Sequence, residues 1–88
     1  MSDGMARLFG VLSDPVRLEI LSALARKGCC VSVLQLAVGR SQPNISQHLR
    51  VLRQAGLVET RREGRKICYS IAKPGVIKML SLAKSASG

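Results

Sequence analysis

The 88-residue chain has no tryptophan, one phenylalanine (Phe9), one tyrosine (Tyr69) and one histidine (His48). Without aromatic bulk its core must be aliphatic, drawn from a hydrophobic content of 47%. One His and five acids leave few groups for general acid–base work, which argues against an enzyme. No apolar run approaches the ~18–20 residues that cross a bilayer. Met1 to Arg7 lack the basic-then-apolar order of a signal peptide, so a cytoplasmic protein is expected. The three cysteines, Cys29, Cys30 and Cys68, are odd in number and two are adjacent. That pattern implies no disulfide framework and suits a reducing compartment. Acids are scarce against fourteen Lys and Arg, and the formal charge of +9 favours a polyanionic partner, either nucleic acid or an anionic surface. The length fits a single domain over residues 1–88, small enough for self-association to help its stability.

Turn signals divide the chain into short elements. Met5, Leu8, Phe9 and Leu12 recur at helical spacing and predict a first helix from Asp3 to Leu12. Asp14 suits an N-cap and Pro15 the first position of a second helix, with Val16, Ile20, Leu21 and Leu24 inward and Gly28 as its end. Cys29 to Ser32 leans towards β structure. A third helix is expected from about Ser32 to Val38, with Leu34 and Ala37 inward, followed by a Gly39-Arg40 turn. Ser41 and Pro43 open a fourth helix that runs to about Gln54, and Gly56 closes it. Leu57–Arg61 and Lys66–Ile71 read as the strands of a hairpin around Arg62-Glu63-Gly64-Arg65. After Lys73-Pro74, Val76 to about Ser85 predicts a last helix. The expected class is mainly α with a β-hairpin wing, in the order α-α-α-α-β-β-α.

Two short helices joined by a Gly-containing turn form a helix-turn-helix whose second helix suits a major groove. On that helix Ile45, Leu49 and Leu52 point to the core, while Pro43, Gln47, Arg50 and Gln54 lie opposite, at ~100° per residue. There is no acid from Ser41 to Gln54. Amide, hydroxyl and guanidinium groups read base edges and hold phosphates, so Ser41, Gln42, Asn44, Ser46, Gln47, His48 and Arg50 are candidate DNA contacts. Arg61, Arg62, Arg65 and Lys66 gather at the hairpin tip, interrupted only by Glu63, and suit phosphates or a minor groove. A rival reading is a winged-helix module for an acidic protein partner or RNA. A membrane-surface role fits less well, because the charge sits on a helix and hairpin rather than on one long amphipathic helix.

The string Leu12-Ser13-Asp14-Pro15-Val16-Arg17-Leu18-Glu19-Ile20-Leu21 resembles the second-helix signature of the ArsR/SmtB repressors. Ser41-Gln42-Pro43-Asn44-Ile45-Ser46-Gln47-His48-Leu49-Arg50-Val51-Leu52 is similar to that family's recognition helix. Gln54-Ala55-Gly56-Leu57-Val58, then Gly64-Arg65-Lys66 and Tyr69, resemble its wing, so the likeness spans about residues 5–72. It implies a winged helix-turn-helix homodimer on an inverted-repeat operator in double-stranded DNA, released by an inducer. Pairing through the first and last helices, residues 5–12 and 76–83, agrees with their apolar content.

The inducer is harder to read. The family's zinc site on the last helix has no counterpart, since Val76 to Gly88 contain no His, Asp, Glu or Cys. His48, on the recognition helix, reads as a flank or DNA-contacting residue rather than a ligand. Of the family's arsenite-binding cysteines only Cys30 matches, with Ser32 and Gln35 at the other positions. The segment before the third helix can pair with the second wing strand, which would bring Cys29, Cys30 and Cys68 together. They are candidate sensor thiols, for redox or reactive-sulfur chemistry or for arsenite or a soft metal ion. The alternative is that they pack as small hydrophobes.

Overall fold

The computed structural model describes residues 3–87. In chain order its elements are α1 (Asp3–Leu12), α2 (Pro15–Arg26), β1 (Cys29–Cys30), α3 (Val31–Val38), α4 (Gln42–Gln54), β2 (Val58–Glu63), β3 (Lys66–Ile71) and α5 (Pro74–Ser87). The fold is a winged helix-turn-helix, with α3 and α4 as the helix pair and β2–β3 as the wing. The β-leaning residues Cys29 and Cys30 form a short third strand, and the sheet order is β1-β3-β2.

Capping chemistry sets most boundaries. Asp14 is extended (φ −87°, ψ 123°), and its carboxylate accepts from the N–H groups of Val16 (2.8 Å) and Arg17 (3.2 Å), with Pro15 beginning α2. The Arg17 Nε turns back to donate to the Val11 carbonyl at 2.7 Å, tying the end of α1 to the start of α2. Ser41 Oγ accepts from the Asn44 N–H at 3.4 Å and opens α4. At the other end, Leu57 N–H donates to the Leu52 carbonyl and Gly56 N–H to that of Arg53, both at 3.0 Å, with Gly56 at φ +77°. This double closure uses the left-handed freedom of glycine and turns the chain into the wing.

Gly28 has a different role from the one expected. The α2 helix stops at Arg26 with Lys27 extended behind it. A Cβ on Gly28 would meet the Tyr69 carbonyl oxygen at 3.0 Å, so this position lets the chain pass close to β3. The hairpin is also longer at its tip than expected. Pairing runs from Val58↔Ile71 to Glu63↔Lys66, leaving Gly64 and Arg65 as the loop. Gly64 has φ +63°, and a glycine first in a two-residue loop matches the strand twist.

Ile20, Leu21, Leu34, Ile45, Leu49 and Leu52 are the largest fully buried side chains, joining α2, α3 and α4. Each such burial stabilises by ~1.5–3 kcal/mol relative to exposure. Ala37, expected inward, is exposed, and Val31 and Val38 pack against the core instead. They sit at i−3 and i+4 from Leu34, on one flank of its stripe, whereas Ala37 falls on the other. The terminal helices bury little: α1 encloses only Leu12, and α5 only Val76 and Leu80. Among the described residues no helix is long and apolar enough to cross a membrane.

Candidate nucleic-acid interface

Ile45, Leu49 and Leu52 anchor α4 to the core, and this anchoring fixes which side chains project outward. Gln47, Arg50, Arg53 and Gln54 are exposed on the far side. Gln42 Nε2 donates to Ser46 Oγ at 3.3 Å, bracing the first turn of the same surface. Of the expected contacts, Asn44, Ser46 and His48 are half-buried, and Asn44 Oδ1 and His48 Nδ1 are buried with no hydrogen-bond partner among the described residues. His48 lies on the flank of α4 that faces Asp14, the N-cap of α2. The backbone N–H of Arg17 does most to hold the Asp14 carboxyl below its ordinary range.

The wing supplies the second half of the surface. Tyr69 lines one groove with Ser46, Arg50, Arg53 and Gln54. Arg65, Lys66 and Tyr69 line another with Gln42 and Ser46. Wing cations and recognition-helix polar groups therefore share continuous concave ground. Strand alternation separates the remaining two arginines. Arg62 is on the side of Tyr69, whereas Arg61 lies opposite Cys68 on the other face. There Arg61 forms an ion pair with Glu63, both side chains well exposed, a contact worth ~0–1 kcal/mol. Arg53 extends the set of candidate contacts. It lies on the flank of the outward face, and the position of Tyr69 shows that this flank borders a groove.

The three cysteines do not converge as a set. Cys30 stands directly opposite Cys68, and Cys29 opposite Tyr69. Alternation thus gives Cys30 and Cys68 one face and turns Cys29 to the other, where it packs against the core. Among the described residues no group of three or more His, Cys, Asp or Glu side chains is placed to hold a metal ion. A three-sulfur site within one subunit is therefore not formed. The environments also differ. Cys30 precedes α3, and the Ser32 hydroxyl, 3.1 Å from its sulfur, lowers its thiol pKa, helped by the Val33 N–H. Burial pushes the Cys29 thiol up, as do the neighbouring sulfurs. Desolvation and the nearby Glu63 carboxylate raise that of Cys68.

Comparison with known proteins agrees with this geometry. The family model described as bacterial regulatory protein, arsR family, matches residues 14–60. A transcriptional repressor SmtB homolog from Synechocystis sp. is 44% identical over 85% of this chain, which spans 57% of that relative's length. A probable mercury resistance operon repressor from Streptomyces lividans is 38% identical over 93% of this chain and 66% of its own. Among solved structures, the homodimeric winged helix-turn-helix domain of a possible ArsR-family regulator from Mycobacterium bovis superposes with a TM-score of 0.89. It is 34% identical, over 97% of this chain and 79% of that one.

Proposed function

The chain belongs to the ArsR family of bacterial regulatory proteins, and on that premise we propose that it is a homodimeric transcriptional repressor of cytoplasmic DNA. Each α4 enters a major groove of an inverted-repeat operator, and the wing follows the adjacent backbone. Gln42, Ser46, Gln47 and Arg50 meet base edges, with Ser41 at the phosphates. Arg53, Arg62, Arg65 and Lys66 bind phosphates or the minor groove, and Arg61 joins them where DNA displaces Glu63. The observation that carries this reading is the acid-free outward face of α4 sharing its grooves with wing cations. A thiol-directed inducer, whether an oxidant, a reactive sulfur species, arsenite or a soft metal ion, acts at the cysteines and releases the operator. The mercury-resistance relative supports that class of inducer.

Selection of binding sites from a random duplex pool, followed by anisotropy titrations across a salt series, tests the DNA reading. A palindromic consensus bound by the reduced protein, with affinity falling steeply as salt rises, is expected. Equal affinity for RNA, or no preferred duplex, would favour the protein- or RNA-binding module instead.

A further inference from the structure

We propose that Cys30 and Cys68 are a peroxide-oxidisable pair that closes into a disulfide between β1 and β3, with Cys30 as the attacking sulfur and Cys68 as the resolving one. The proposal deepens the reading of the thiols as the inducer's target by naming the pair, the roles and the oxidant class.

The register carries it. Cys30 and Cys68 face each other across an antiparallel pair. Residues so opposed have Cα atoms ~4.5–5.5 Å apart. Disulfides span Cα separations of ~4.4–6.8 Å, so the bond can close without moving either strand far. Cys29 is excluded twice over: it lies on the other face, and a bond to its neighbour Cys30 would close a strained ring. β1 is an edge strand of the sheet, and Cys30 is partly exposed, lining a surface groove with Ser32 and Lys66.

The surroundings divide the labour. Cys30 sits at the amino end of the eight-residue α3, where the Ser32 hydroxyl and the helix N–H groups favour its thiolate. Cys68 is held as a thiol by partial desolvation and by the nearby Glu63 carboxylate. In the first step the Cys30 thiolate attacks one oxygen of hydrogen peroxide. An S–O bond forms, the O–O bond breaks, and the departing hydroxide gains a proton to become water. In the second step the Cys68 sulfur attacks the sulfenic sulfur of Cys30. Its proton passes to the hydroxide that leaves Cys30, which departs as a second water. Two thiols and one peroxide become one disulfide and two waters, with two electrons moving from sulfur to oxygen.

The test uses the reduced full chain, treated with hydrogen peroxide, quenched by alkylation and read by intact mass and peptide mapping. Loss of two hydrogens, a cross-linked Cys30–Cys68 peptide and an alkylated Cys29 are expected. Cys68→Ser should stop at a Cys30 sulfenic acid that a dimedone-type probe captures, and Cys30→Ser should stay unoxidised at the same dose. In the untreated protein near neutral pH, Cys30 should alkylate several-fold faster than Cys29 or Cys68. A cross-link through Cys29, bonds only between molecules, or sulfenic acid first at Cys68 would overturn the proposal. Operator binding by the reduced chain, measured in parallel, separates the two readings. A reduced protein that binds no duplex defeats the repressor assignment and leaves the sulfur chemistry to stand or fall on its mass spectra.

Discussion

Gln47 and Arg50 project one helical turn apart from the outward side of α4, and Arg65 stands at the wing tip, in the groove it shares with Gln42 and Ser46. Their chemistry separates base reading from phosphate holding. Replacing Gln47 or Arg50 with Ala should weaken operator binding by ~1–3 kcal/mol and relax preference at the bases beneath. Arg65→Ala should weaken binding to all duplexes and lower the salt slope by about one unit. Anisotropy with operator and scrambled duplexes distinguishes these outcomes, and parent-like binding by both kinds of variant would remove α4 and the wing from the interface. Asp14 offers a pH test. Its folded carboxyl is held below its ordinary 3.8, chiefly by the Arg17 N–H. Its contribution is therefore complete above that pH and fades as pH falls through the lowered folded value. Thermal melts from pH 3 to 7 should show Asp14→Asn keeping much of the cap while losing part of the acid dependence. The outward residues were legible because α4 is strongly periodic. The burial of Asn44 and His48 was not, because whether a flank position is wet or covered depends on neighbouring elements, which a periodicity count does not contain.

The helices and strands themselves divide between local and non-local causes. Asp14-Pro15, Ser41 with Pro43, and Gly56 each satisfy helix-end groups within a few residues, so the corresponding boundaries could be read directly. Gly28 could not, since its reason lies far along the chain in the Tyr69 carbonyl. Likewise the adjacency of β1 and β3 was foreseeable from the winged-helix layout, but which cysteine shares a face with Cys68 depends on a one-residue register. Gly28→Ala should push β1 from β3 and destabilise by ~1–3 kcal/mol, as overpacking does. Urea unfolding checks this, and an unchanged midpoint would mean that the two strands tolerate separation. Closing Cys30 to Cys68 should in turn draw the Cys30 sulfur from Ser32 and bind the wing base to the helix-turn-helix. Oxidised protein should thus lose operator affinity, and Cys68→Ser should keep it after peroxide; equal losses in both would place the releasing event at another residue.

For the molecule as a whole, the terminal helices spend only part of their apolar surface on the monomer. Leu12, Val76 and Leu80 belong to the core, whereas Phe9 and Ile77 remain 52% and 43% exposed. That division corrects the simplest view of the two stripes as pure interface. It also selects better probes of the dimer, since charge at Leu80 would disrupt the fold itself. Phe9→Glu with Ile77→Glu should yield folded monomers that bind operator weakly, because both half-sites, ~34–36 Å apart, must be met together. Sedimentation and circular dichroism read the two properties separately, and a doubly substituted dimer of parent affinity would place the interface on other surfaces. If association adds stability, Tm should rise with protein concentration in the parent and not in the double variant.

Tyr69, described above as a wall of the groove beside Arg50 and Arg53, is also the only tyrosine of a chain without tryptophan. Excited at wavelengths that Phe9 does not absorb, each subunit therefore emits ultraviolet light from one ring, and that ring lies where a duplex would dock and in register with Cys29. Quenching of this single band by unlabelled operator, beyond that given by an equally absorbing scrambled duplex, would report occupancy of the groove. A separate change on oxidation would report rearrangement at the base of the wing. Repressor and inducer chemistry can thus be followed in one cuvette, on the unmodified protein, through a reporter that is already part of the fold.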